Sequence, residues 1–348
     1  MSQLQNKFFD GESLITPEAI SDEVFGKGAD NFKENFELGI AEIAIVLNLA
    51  QQQFLSGRAP QEIIHYVAGA LHQIRGKLNL GVWRELIPII QDHVVSEYFL
   101  QDPFTRWSSD KPRGYSGDAQ LLDFIYGHSC VQDKIAAASP LGLALYEYTK
   151  DASSSVAVRE RRDILTKYID EIASARGPET EILTIAAGHL REANESAALA
   201  EGAIKRWVAL DQDPLSIGSI TRDFEGTCIE AIDGSVRGIL SGRHQLGTFD
   251  FVYAAGLYDY LVDKVSIKLT QRCLDMLKPG GVFLFANFSQ DIGVDGYMES
   301  FMNWALLLRS KQDMWNIINA SIDPAVFEAE VFFGDNRNIV YGVIRKKA

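Results

Sequence analysis

The 348-residue sequence predicts two domains of different class: an all-α helical bundle and lid over residues 1–150, and an α/β domain with a doubly wound sheet over 151–348. Three observations carry this. Apolar residues at steps of three and four fill much of the first half. The run Ile182, Leu183 and Ile185 reads as a strand covered on both faces, and it enters the small-residue turn Ala186-Ala187-Gly188 with helix-compatible sequence from Arg191 to Leu199. A second run, Trp207-Val208-Ala209-Leu210, ends in Asp211, 23 positions after Gly188. In doubly wound sheets an acid about 20 residues beyond the glycine turn binds ribose hydroxyls.

In chain order, residues 1 to about 28 are poorly periodic and read as a loosely held start. Phe32, Phe36, Ile40, Ile43, Leu47, Ala50 and Phe54 then share one helical face, which Ser56-Gly57 ends. Pro60 opens a second helix with the stripe Ile63, Val67, Leu71, Ile74 and Leu78. A third runs through Trp83, Leu86, Ile90, Val94 and Tyr98. Short connections imply antiparallel neighbours and a bundle. Residues 102–118 are too broken for core and too aromatic for a solvated linker. They are read as a lid carrying Arg113 and Tyr115, with an ordered structural loop as the alternative, and Asp118 as the cap of the next helix.

Residues 151–176 form the helix leading into the second domain, ended by Gly177-Pro178. Its charge run Arg159-Glu160-Arg161-Arg162-Asp163 is mostly a solvated face, with one arginine free to reach a bound carboxylate. Ile229 to Ile232 is a third strand and Phe249 to Gly256 a fourth. Leu277-Lys278-Pro279-Gly280-Gly281 reads as a helix end and turn leading into a fifth strand, and Glu328–Phe333 with Ile339–Arg345 as a closing hairpin.

These residues resemble the class I S-adenosylmethionine-dependent methyltransferases over roughly the last 190 residues. The resemblance implies a Rossmann-like, seven-stranded sheet with an antiparallel C-terminal hairpin, and S-adenosyl-L-methionine as cofactor. It places that cofactor against Ala186, Ala187, Gly188 and His189, against Asp211 and Gln212, against Asp233, Gly234 and Ser235 after the third strand, and against Ala255 and Gly256 after the fourth. The chain departs from the family at Thr184, where an acid is usual, and at Ala186 and Leu190, where glycines are usual. The run Lys111 to Asp118, with Ala255 to Leu261, is similar to a narrower bacterial group that forms methyl esters of 3-hydroxy fatty acids. That likeness implies a carboxylate acceptor.

Methyl transfer from a sulfonium requires alignment and exclusion of water, and a carboxylate needs no general base because it is already ionised near neutral pH. Arg113, Tyr115, Tyr258, Tyr260 and Asn287 are the expected acceptor contacts, with Tyr297, Trp304 and Arg309 as further candidates. Phe301, Trp304 and Leu308 are spaced as one helix face, which favours core packing for Trp304. An N- or hydroxyl O-methyltransferase of a small metabolite is the alternative, with His189 or Asp259 as base, and a non-catalytic cofactor-binding scaffold is another.

Composition bounds the partners. A net charge of −14 and a pI near 4.9 exclude broad nucleic-acid binding, although not a small anionic substrate. Cys130, Cys228 and Cys273 show neither metal spacing nor a disulfide framework, which suits a reducing cytoplasm. The histidines have no HxxxH or HExxH spacing, so no metal is expected. No secretion signal and no membrane-spanning run is read, and the expected partner is a small or lipid-like acid, with room for a homodimer.

Overall fold

The computed structural model describes residues 23–25 and 32–348, so the expected loose start falls outside the described residues apart from 23–25. The chain forms two compact units. The helical unit runs through Val156 and also includes Ile292–Leu306, and the sheet unit comprises Ala157–Asp291 and Leu307–Ala348.

In the helical unit, α1 (Phe32–Leu55) buries Gly39, Ile43, Val46, Leu47 and Ala50, and packs on α2 (Pro60–Lys77) and α3 (Leu80–Asp92). Gly39 allows the close approach, because a Cβ there would lie 2.6 Å from Leu86 Cδ1. Contrary to the sequence reading, α1 is long and apolar enough by length and composition to cross a membrane; in this fold it contributes one face to the bundle core. The third helix is also shorter than its stripe suggests. It ends at Asp92, where His93 turns extended and its Nδ1 accepts the Val95 N–H at 3.1 Å, so Tyr98 belongs to a separate turn, Ser96–Phe99.

The first half of the expected lid is helical, as α4 (Pro103–Asp110). Asp102 nucleates it by accepting from the backbone N–H groups of Phe104 and Thr105 at 3.0 and 3.2 Å, and Pro103 fits the first turn. Lys111 closes α4 at φ 45°, and Asp118 caps α5 (Ala119–Tyr126) by accepting from Leu121 N at 2.9 Å. In the later segment a helix spans Asp295–Ser300 and no further. Asn303 takes φ 50° and Trp304 N donates back to Met298 O, so Phe301, Trp304 and Leu308 do not share a helix face, although Phe301 and Trp304 are both buried.

In the sheet unit, α7 (Ser153–Arg176) precedes β1 (Thr180–Ile185), β2 (Ile204–Asp211), β3 (Ile229–Asp233), β4 (Phe249–Ala254), β5 (Leu277–Phe288), β6 (Phe327–Phe333) and β7 (Ile339–Lys346), α6 being Pro140–Thr149 of the helical unit. The order is β3-β2-β1-β4-β5-β7-β6, parallel through β5, with β7 antiparallel to both its neighbours. The continuous apolar runs of β1, β2 and β4 are buried accordingly.

Two local expectations are corrected. The helix before β5 ends at Asp275, and Leu277-Lys278-Pro279-Gly280-Gly281 belongs to the strand. The register shift between Phe249 and Phe251, with Gly280 at φ 70°, absorbs Pro279 as a bulge. After β1 there is no continuous helix from Arg191 to Leu199. A 3-10 segment covers Arg191–Glu195, and a new turn, Ala197–Ala200, starts at Ser196. Asp170 of α7 explains the break: its carboxylate accepts from Ser196 Oγ at 2.7 Å and from Ala197 and Ala198 N–H at 3.2 and 3.0 Å.

Candidate functional site

Strand order reverses between β1 and β4, and the carboxyl edge there is where open α/β sheets bind ligands. The turn after β1 has left-handed backbone at every second residue: Ala186 φ 56°, Gly188 φ 56° and Leu190 φ 52°. A side chain in that region costs roughly 1–2 kcal/mol, so two non-glycine residues hold a glycine-type conformation. Ala187 N donates to Leu210 O at 3.1 Å, and Gly188 N donates to Asp211 Oδ2 at 2.7 Å. The other Asp211 oxygen accepts from Asp213 N at 2.8 Å.

Asp211 also links the next loop, because Gly234 N donates to its carbonyl at 2.9 Å. Gly234 has little room: a Cβ would lie 2.8 Å from His244 Nε2 and 2.9 Å from Leu210 Cδ1. Ser235 is buried and caps the helix Val236–Leu240, whereas Asp233 is exposed and Gln212 half-buried. Thus Gly188, Asp211 and Gly234, at the ends of three adjacent strands, are joined by direct hydrogen bonds. His189 is buried, with Nδ1 3.3 Å from Arg191 Nη2, and Arg191 pairs with Asp223 at 3.3 Å.

After β4, Ala255 O accepts from Arg161 Nη1 of α7 at 2.9 Å, and the guanidinium lies 3.7 Å from the position a Gly256 Cβ would take. Arg161 is the member of the charge run that turns inward; it is 4% exposed. Where the sequence resemblance implied an acid, Thr184 Oγ1 accepts from Trp207 Nε1 at 2.8 Å. Tyr253, paired in register with Thr184, donates its hydroxyl to Glu192 Oε1 at 2.6 Å. Burial raises the Glu192 carboxyl, while that hydrogen bond and the charges of Arg161 and Arg162 oppose the rise. Sequence reading missed Glu192; an acid just past the turn was its only signal.

Two expected acceptor contacts serve the scaffold instead. Tyr258 is fully buried against Phe285, with its hydroxyl on Thr270 at 2.8 Å. Asn287 Nδ2 donates to Phe288 O and Leu307 O, and its Oδ1 accepts from Arg309. Arg309 also donates to the carbonyls of Tyr258 and Leu261 and pairs with Asp263 at 3.0 Å. Asp259, the candidate base, accepts from Phe288 N at 2.6 Å while its carbonyl accepts from Leu307 N. Burial raises its carboxyl to about 6, against that hydrogen bond and the charges of Arg161 and Arg309. Tyr260 lies beside it, half-buried.

Arg113 and Tyr115 belong to the helical unit, where Arg113 is buried with Nε 3.9 Å from an Asp118 oxygen. That unit contains a small apolar cavity of about 20 Å³, walled by Ile64, Ala68, Phe104, Met298, Met302 and Trp304. Thr149 and Tyr297 give it a polar corner. Tyr297 Oη lies 3.1 Å from Thr105 Oγ1, and Thr105 and Thr149 both donate hydroxyls to the buried Asp102.

No family model matches the sequence. No curated protein matches it either. Among solved structures, a possible exported protein from Bordetella parapertussis is 18% identical, with 89% of this chain and 97% of that chain covered at a TM-score of 0.55. The N-methyltransferase NodS from Bradyrhizobium japonicum, in complex with S-adenosyl-L-homocysteine, is 17% identical over 65% of this chain and all of that one, at 0.40. An S-adenosylmethionine-dependent methyltransferase from Clostridium acetobutylicum is 10% identical over 55% and 92%, at 0.40. At these identities the likeness is one of fold, and the strand order itself supplies the conclusion: the sheet unit has the seven-stranded, Rossmann-like fold of the class I methyltransferases.

Proposed function

We propose that the protein is an S-adenosylmethionine-dependent methyltransferase whose acceptor is a small molecule with an apolar body and a carboxylate, giving a methyl ester. The observation that carries the cofactor assignment is the Gly188–Asp211 hydrogen bond at 2.7 Å under a turn of glycine-type backbone. The residues fit an adenosyl ligand. Asp211 is the strand-end acid for ribose hydroxyls, Gly234 and Ser235 lie beside it for the adenine, and Arg161 is a cation for the amino-acid end.

When bound, S-adenosylmethionine supplies a methyl group already activated as part of a sulfonium. The protein's task is then orientation and exclusion of water. An ionised carboxylate acceptor requires no proton acceptor from the chain, in keeping with Asp259 and Tyr258 being committed to the scaffold. The likeness of the run Lys111 to Asp118 to a group acting on fatty acids supports an apolar body, and Arg113 and Tyr115 of that run are the proposed holders of the acceptor carboxylate.

The test is incubation with methyl-labelled cofactor and a panel of apolar acids, amines and alcohols, followed by mass spectrometry. Methyl esters of the acids are expected. Label only on amines or hydroxyls would overturn the acceptor assignment, and failure to bind S-adenosyl-L-homocysteine in calorimetry would overturn the cofactor assignment.

A further inference from the structure

β1 carries Thr184 where the sequence resemblance implied an acid that steadies the loop at the cofactor's amino-acid end, yet a carboxylate is present at this strand end. Thr184, Trp207 and Tyr253 come from three adjacent strands and form a polar platform through the Trp207 Nε1–Thr184 Oγ1 bond and the pairing of Thr184 with Tyr253. Glu192 returns to this platform from the 3-10 segment after the turn, anchored by the Tyr253 hydroxyl at 2.6 Å. That bond occupies part of one oxygen; an ionised carboxylate has about four acceptor positions.

Arg161 provides the opposite charge, and its field acts on Glu192. Both side chains are buried, at 4% and 8% exposure. Among the described residues, neither forms an ion pair, and Arg161 is held by a hydrogen bond to Ala255 O. A buried carboxylate and a buried guanidinium near each other without direct pairing are costly in isolation. A zwitterion inserted between them satisfies both.

We propose that Glu192 and Arg161 form the clamp for an α-amino acid group: Glu192 accepts from the cofactor's ammonium, and Arg161 donates its planar fork to the cofactor's carboxylate. This rests on S-adenosylmethionine being the ligand. In it, an acid eight residues downstream in sequence replaces the one missing at Thr184, and the 3-10 segment exists to bring that acid back over the strand end. A regular helix over Arg191–Leu199 would not have to return Glu192 to Tyr253 in this way.

The experiment compares S-adenosyl-L-homocysteine with 5′-methylthioadenosine, which keeps the nucleoside thioether but has no amino acid group. Calorimetry is run on the full chain and on Glu192→Gln and Arg161→Met. The full chain should bind the homocysteine compound at least about tenfold more tightly, and each variant should lose about tenfold or more of that affinity while keeping methylthioadenosine binding within about twofold. The retained methylthioadenosine affinity also reports that the variant is folded, and Arg161→Met tests the clamp independently should Glu192→Gln not fold. Equal loss of both ligands, or loss of neither, overturns the clamp while leaving the cofactor assignment standing. Binding of neither ligand by the unmodified chain overturns both.

Discussion

In the proposed cofactor site one carboxylate, that of Asp211, serves structure and ligand together. It accepts from Gly188 N and Asp213 N, which shapes two loops, and it stands at the strand end where the proposed ribose lies. Asp211→Ala should therefore lower S-adenosyl-L-homocysteine affinity by roughly tenfold to a hundredfold, about 1.5–3 kcal/mol, in calorimetry; unchanged affinity would remove the assignment. Ala186 offers a second prediction of opposite sign. Its backbone is in the left-handed region, where a Cβ is strained, so Ala186→Gly should raise the thermal midpoint, by up to about 1 kcal/mol of stability. A lower midpoint would mean that the methyl group packs more than it strains. At this scale Gly188 and Asp211 were legible in sequence because their residue types answer to a backbone rule. Glu192 was not, since its partner hydroxyl arrives from β4. Tyr258 and Asn287 were misplaced because position at a strand end does not say which way a side chain turns.

At the scale of elements, polar side chains decide where segments start and stop, and this is where periodicity fails. The apolar pattern continues past Asp92, but His93 takes Val95 N; residues 102–118 read as broken, but Asp102 builds α4. Asp102 is fully buried, and burial raises its carboxyl to about 6 against four hydrogen bonds. A carboxyl raised above its unfolded value binds a proton more readily in the native state, so its contribution to stability is full below about pH 4 and is lost as pH rises through about 6. Asp102→Asn has no such titration. Its stability deficit relative to the parent should thus be larger at pH 4 than at pH 7, by about 2 kcal/mol, in denaturant titrations at both pH values. A deficit independent of pH would place the charged form in the native state throughout. Arg309 plays the corresponding part in the sheet unit, joining the segments after β4 and β5 through three acceptors.

Across the whole molecule, the strand sequence and the closing hairpin were legible because the central strands are contiguous apolar runs between breakers and β3 and β6 alternate apolar residues with acids. The return of Ile292–Leu306 to the helical unit was not, because nothing local marks a segment that packs on helices over 200 positions earlier. Its attachment is ionic. Arg75 donates Nε and Nη2 to Glu299 at 2.7 and 2.8 Å and meets Asp295 at 2.9 Å, while Trp83 Nε1 and His72 Nδ1 complete the two carboxylates at 2.7 Å each. Glu299 and Asp295 are only 3% and 6% exposed in their side chains, so removing Arg75 leaves two buried carboxylates facing each other without their cation. Breaking such a buried arrangement costs about 3–5 kcal/mol. Arg75→Met should destabilise the protein by that amount at pH 7 and by less as the pH is lowered, because burial raises the Glu299 carboxyl and its neutral form needs no cation. Because Gly188, Asp211 and Arg161 all lie in the sheet unit, S-adenosyl-L-homocysteine affinity measured well below the unfolding midpoint should stay within about twofold of the parent. A parallel collapse of ligand affinity would overturn this expectation.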